Sequence, residues 1–230
     1  MGATPAQSLY SVLRHWRSVG VRWLDVPELT EEDLFSEDEL LQHRQAELEQ
    51  WKGKCEKCTQ CSLYQDREQI VWGEGNPMAK LMFIGDAPEP SDEKESRPFT
   101  GETGELFDRM LSKMGLSREQ IYITYLLKCA PREGKKPSEE MGMNCRELGI
   151  FKQIDVIRPS VICTLGSYAS SILLDTKEPI TRLRGRAIPW SGAMVFPSFH
   201  PGYLLKKKSA RIEAWEDMKA ILVYLQSSAH

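Results

Sequence analysis

At 230 residues, with 41% hydrophobic and 27% charged side chains, the chain has the composition of a soluble globular protein with room for one large domain or two small ones. A net charge of −3 excludes a globally basic nucleic-acid binder, so any contact with a polyanion must rest on local patches. No apolar run approaches the roughly 20 residues that span a bilayer, and the N-terminus lacks the features of a secretory signal, which predicts a cytoplasmic protein with no membrane contact.

In chain order, Gln7 to Trp16 carries apolar residues at helical spacing. Ser36-Glu37-Asp38-Glu39 is a capping-box signature that opens a charged helix running toward Lys52. Residues 1–50 therefore read as an N-terminal helical extension, and residues 51–230 as the main domain. Four apolar runs follow: Leu81 to Gly85, Ile121 to Leu127, Val161 to Gly166 and Met194 to Phe199. They alternate with helical patterns, which predicts a three-layer α/β/α fold around a central four-stranded, mainly parallel sheet.

The six cysteines fall unevenly along this framework. Cys58 and Cys61 lie three residues apart, while Cys129 and Cys145 are separated by fifteen residues. Thiols gathered from distant segments of a reduced protein point to a metal centre rather than disulfides. Zinc and an iron–sulfur cluster both accept four thiolates; the split second pair leans toward a cluster, and spacing alone does not choose. Cys55 repeats the spacing on the other side of Cys58 and could form an overlapping pair. Cys163, inside Val161-Ile162-Cys163-Thr164-Leu165, reads as a small buried hydrophobe.

Ligands of parallel sheets bind at the carboxyl ends of the strands. There the chain places Gly85-Asp86-Ala87-Pro88, then Arg97-Pro98-Phe99-Thr100-Gly101, Lys128-Cys129-Ala130-Pro131, and Pro197-Ser198-Phe199-His200-Pro201-Gly202. Together with Cys58-x-x-Cys61-x-Leu63, Gly73-x-Gly75-Asn76-Pro77, Tyr122-Ile123-Thr124, Cys145, Leu165-Gly166, Leu183-Arg184-Gly185 and His200-Pro201-Gly202-Tyr203-Leu204-Leu205, this series resembles the family 4 uracil-DNA glycosylases, in order, from about residue 50 to about 225.

The resemblance implies a DNA glycosylase that removes uracil or a related deaminated base, and a [4Fe-4S] cluster on Cys58, Cys61, Cys129 and Cys145. Expelling uracil as an anion requires negative charge to be stabilised on the base and water to be supplied to the sugar. By the resemblance, His200 donates to the developing charge, Asp86 helps position water, and Phe99 stacks on the extruded base with Ala87, Pro88 and Glu89 around it. Three departures stand out, the first being Asp86, which is shorter than the Glu the family carries at the water-positioning place. Glu89 replaces a glycine and is expected to crowd the pocket. Tyr125 stands where the family carries an Asn that reads the amide edge, and a phenol offers one rotating hydroxyl in place of a donor and an acceptor.

Contact with single- or double-stranded DNA is expected to be dominated by the backbone, through Arg184, Lys206 and Lys207, with Tyr203 and Leu204 as candidates to fill the vacated stack. The expected state is a monomer. Beside the enzyme stands a second reading, a DNA-binding module that kept the fold and lost efficient cleavage through Tyr125 and Glu89.

Overall fold

The computed structural model describes residues 35–132 and 137–227, so the helix read at Gln7 to Trp16 lies outside the described residues. The chain divides into two units, Met1–Ala46 and Glu47–His230. Helix α1 (Glu37–Glu56) begins in the first and ends in the second. Its capping box is formed as the sequence predicts: Glu39 Oε2 accepts the Ser36 N–H at 2.9 Å, and the Glu39 N–H donates back to Ser36 Oγ at 3.4 Å.

The second unit is built on one sheet. Its strands are β1 (Glu74–Gly75), β2 (Leu81–Gly85), β3 (Tyr122–Tyr125), β4 (Val161–Leu165), β5 (Ile188–Trp190) and β6 (Ala193–Ser198), in the spatial order β1-β3-β2-β4-β6-β5. The four predicted strands are the four central ones, and all their pairings are parallel. The sheet has six strands rather than four, because β1 and β5 add antiparallel edges. At two and three residues these edges are too short to show a periodicity. Pro189 in β5, which lacks an N–H, is tolerated only at such a boundary.

Every residue of β2 and β4 is buried, as two-sided coverage requires. Alternate residues feed two separate cores: Met82, Ile84 and Ile162 on one face, and Leu81, Phe83, Val161 and Cys163 on the other. Helices α5 (Phe151–Ile157) and α6 (Ser167–Leu174) pack on the first face. Helices α3 (Gly101–Met114) and α9 (Arg211–Ser227) pack on the second. Among the described residues the remaining α-helices are α2 (Pro90–Glu95), α4 (Glu139–Cys145), α7 (Ile180–Leu183) and α8 (Pro201–Lys206). Between α4 and α5 a π-helical turn, Arg146–Ile150, follows directly on Cys145. Among the described residues no helix is long and apolar enough to cross a membrane.

Candidate functional site

Parallel registration puts the strand ends in one row: Gly85 pairs with Tyr125 and Leu165, and Leu165 pairs with Ser198. The segments that follow, at Asp86, Leu126, Gly166 and Phe199-His200, therefore emerge side by side. The close approach has a specific requirement at Gly85, where a Cβ would lie 2.6 Å from Tyr125 Cδ1 and 2.8 Å from Phe99 Cζ. Only glycine lets both aromatic rings fold over the end of β2.

Phe99 sits at the centre of this row and is 2% exposed. Its ring stacks on Phe107 (centroids 4.7 Å apart, 19° between planes), meets Tyr125 at 4.8 Å and lies 5.6 Å from the His200 imidazole. The backbone of Phe99 has φ +54°, in the left-handed region that non-glycine residues rarely occupy. That conformation is held at both ends. The Phe99 N–H donates to the Tyr125 hydroxyl at 2.9 Å, and its carbonyl accepts from Arg118 Nη2 at 2.8 Å.

Tyr125 is 1% exposed, and its hydroxyl is fully engaged, donating to Asp92 Oδ2 at 2.8 Å while accepting from Phe99. Instead of a freely rotating hydroxyl, the pocket holds a fixed phenol. Burial, together with the Asp92 charge, pushes its pKa upward, so it stays protonated. Asp92, to which the sequence analysis assigned no role, is the hub. Its Oδ1 accepts the Thr100 N–H and hydroxyl, both at 2.7 Å, and Oδ2 also accepts the Glu89 N–H at 2.8 Å. A sequence signal was available in the Glu89-x-x-Asp92 spacing ahead of a helix, which is capping-box spacing.

The Glu89 side chain is tied down at the start of α2. It caps α2 by accepting the Asp92 backbone N–H, and it also accepts from the Thr103 hydroxyl at 3.3 Å, on the exposed side of the loop. Pro88 is buried and Ala87 packs partly against the core. Asp86 turns toward the start of α6, where Oδ1 accepts the Ala169 N–H at 2.7 Å. Gly166 makes this possible, since with φ +118° a Cβ there would lie 2.3 Å from an Asp86 carboxylate oxygen. Burial raises the Asp86 pKa to about 6 against the pull of the helix N–H groups.

His200 caps α8, with Nδ1 accepting the Gly202 N–H at 3.1 Å. An accepting Nδ1 places the proton of the neutral ring on Nε2. Burial lowers its pKa to about 4, so the ring is neutral at physiological pH. Nε2 is buried and has no hydrogen-bond partner among the described residues.

Of the predicted DNA-contact residues, the structure exposes three and withdraws two. Tyr203 (39% exposed), Lys206 and Lys207 share one face of α8 and the turn after it. Leu204 is 1% exposed and packs with Leu106, Phe199, Ala210 and Ala214, because at helical spacing it falls on the inner face of α8. It is a core residue and cannot fill a base stack. The Arg184 guanidinium pairs with the buried Asp217 at 2.6 Å and lies over the Phe199 ring. Asp217 also accepts the Ser198 hydroxyl at 2.7 Å, so Arg184 braces β6 against α9.

On the other side of the sheet, Cys55, Cys58, Cys61, Cys129 and Cys145 line one cavity together with Arg67, Lys128 and Leu148. All six cysteines are free, and Cys163 is buried in β4 as expected. The thiol of Cys55 donates to the Leu148 carbonyl at 3.6 Å, and Arg67 Nη1 donates to Cys129 Sγ at 3.6 Å. Burial pushes the Cys55 thiol to about 11 and that of Cys145 to about 12, while Lys128 pulls both down. The donor set suits a soft metal group: sulfur from three distant segments, flanked by two cationic side chains. Among the described residues no three His, Cys, Asp or Glu are grouped as ligands of a single metal ion.

An α/β sheet carrying an aromatic box, an unpartnered histidine donor and a thiol-lined cavity defines a class, and comparison with known proteins identifies it. Residues 72–219 match the uracil DNA glycosylase superfamily, and the chain belongs to it. Within it, the chain is 39% identical over 158 residues to a type-4 uracil-DNA glycosylase of Thermotoga maritima, spanning 68% of this chain and 82% of that protein. It is 36% identical over 183 residues to a type-4 enzyme of Sulfurisphaera tokodaii (76% and 83%), and 28% identical over 159 residues to a type-5 enzyme of Pyrobaculum aerophilum (61% and 68%).

Proposed function

We propose that this protein excises uracil or a related deaminated base from DNA by hydrolysing the N-glycosidic bond, the opening step of base-excision repair, acting as a cytoplasmic monomer. The observation that carries the reading is the buried, unpartnered Nε2–H of His200 beside the Phe99 ring. A buried donor without a partner costs about 1–3 kcal/mol, and a fold retains one where a ligand completes it. When the glycosidic bond breaks, charge gathers on the departing base. A fixed N–H in a dry site stabilises that charge with no reorganisation, and a neutral imidazole does so without pairing too tightly with the substrate phosphate.

Phe99 supplies the aromatic face for an extruded base, backed by Phe107. Asp86 is ionised above about pH 6 and is the group proposed to hold the attacking water. Tyr203, Lys206 and Lys207 form the DNA-facing surface, where lysines neutralise phosphates without reading sequence. The cysteine cavity is proposed to hold a [4Fe-4S] cluster on Cys58, Cys61, Cys129 and Cys145, with Cys55 as the extra thiol. When bound, the group supplies a cross-link joining the turn after α1, the end of β3 and the end of α4.

The DNA-binding module remains the second reading, favoured by one observation: Phe107 and Tyr125 both contact the Phe99 ring, which is almost wholly buried. Single- and double-stranded oligonucleotides carrying uracil, hypoxanthine or xanthine, incubated with the protein and treated with alkali, separate the two. Strand scission at one base establishes the enzyme and its substrate. Retained binding with no scission on any of them establishes the module.

A further inference from the structure

Lys128 is the largest charged side chain buried in the second unit, at 2% exposure, and the glycosylase reading gives it no task. Its Nζ is held by four oxygens: Thr124 Oγ1 at 2.5 Å, Gln153 Oε1 at 2.6 Å, the Tyr125 carbonyl at 2.8 Å and the Trp72 carbonyl at 3.2 Å. All four are neutral. Among the described residues no carboxylate pairs with it. A buried ammonium solvated only by dipoles is costly, and buried charges are ordinarily matched by an opposite charge.

The matching charge has one place to be. Lys128 lines the cysteine cavity beside Cys55, Cys129 and Cys145, and the other cation on the cavity, Arg67, carries the same sign. Free thiols are neutral and offset nothing. Four thiolates around a less positive iron–sulfur core form a net anion. The chain also makes room for this lysine, because at Gly149, in the π-helical turn after Cys145, a Cβ would lie 3.0 Å from Lys128 Cε.

We propose that the Lys128 ammonium is the internal counter-ion of an anionic iron–sulfur cluster in the cysteine cavity, and thereby a positioning residue that sets the cluster's reduction potential. This rests on the reading that the cavity holds such a cluster. A cation whose three N–H groups are shared among four fixed oxygens cannot move away when the cluster charge changes, so it favours the more negative, reduced state. Its ties to the Tyr125 and Trp72 carbonyls also join the cavity wall to the end of β3, on which the base pocket is built.

The test uses the full chain purified without oxygen, with iron content, visible absorbance and the one-electron midpoint potential measured in each variant. Lys128→Met keeps the stem and removes the charge. Gln153→Glu keeps the lysine and sets a carboxylate where the amide oxygen now lies 2.6 Å from Nζ. Both are expected to retain iron and to move the potential downward, changing the reduced-to-oxidised ratio at fixed solution potential by at least tenfold, about 59 mV for one electron. Lys128→Arg should hold the potential near that of the wild type. An unmoved potential in iron-bearing Gln153→Glu protein overturns the proposal even where Lys128→Met yields no soluble protein. Iron-free wild type overturns the cluster reading and the counter-ion with it, whereas iron with an unmoved potential overturns the counter-ion alone.

Discussion

Two polar groups near Phe99 are treated in opposite ways, Asp92 reaching it through the Tyr125 hydroxyl and the His200 ring lying 5.6 Å from it. In the loop from Glu89 to Thr100, the Asp92 carboxylate receives four donors, from Glu89, Thr100 (twice) and Tyr125. In the loop from Ser198 to Gly202, His200 spends Nδ1 on a helix cap and leaves Nε2–H with no partner among the described residues. A satisfied network rigidifies, while an orphaned donor waits for something to complete it. The first loop is therefore assigned to the wall around Phe99, and the second is the one proposed to do the chemistry. Hydrogen-bond accounting separates these roles.

The sharpest way to break the comparison is to exchange the expected phenotypes. His200→Ala is expected to lower excision by about a hundredfold to a thousandfold, the worth of one transition-state donor, about 2.7–4 kcal/mol. Its stability should fall by only about 0.5–2 kcal/mol, the worth of the Nδ1 cap on α8 that is lost with the ring. Asp92→Ala should do the reverse. Leaving the Tyr125 hydroxyl and the Thr100 and Glu89 donors unpaired costs about 3 kcal/mol of unfolding free energy, read from urea titration. Should His200→Ala prove the destabilised variant and Asp92→Ala the stable inactive one, the assignment is inverted.

Tyr125→Asn removes the phenol from the Phe99 face and restores a group with both donor and acceptor. Uracil excision is expected to rise about tenfold to a hundredfold, or roughly 1–3 kcal/mol, with DNA affinity unchanged in a filter-binding assay. Loss of an activity that the wild type shows on another base would instead identify Tyr125 as a specificity residue.

Asp86 predicts the pH profile. With its pKa raised to about 6, the single-turnover rate should fall about tenfold per pH unit below 6, and Asp86→Asn should remove that limb. The stability it contributes runs the other way. The folded state favours its protonated form, so that contribution is fully present below the unfolded value of 3.8 and lost as pH rises through 6. His200, held at about 4, adds no limb near neutrality. The smallest effect belongs to the surface: Tyr203→Ala should weaken DNA binding a few-fold without unfolding the protein, whereas Leu204→Ala, in the core, should cost about 2–5 kcal/mol of stability.

By itself the sequence determined the four central strands, because β2, β3, β4 and β6 are apolar runs whose two faces are both buried, a pattern independent of their partners. It also determined the Ser36 cap, the burial of Cys163 and the series of motifs at the strand ends, since each depends on neighbours in the chain. The two edge strands were not legible, being two and three residues long and defined only by what they pair with. Nor was the state of each polar side chain in the site. That Asp92 receives the Tyr125 hydroxyl, that Arg184 is spent on Asp217 and that Lys128 is surrounded by oxygens of Trp72 and Gln153 are facts about partners distant in sequence. Tertiary structure alone decided them, because a hydrogen bond is satisfied or left open by where the chain brings the second atom.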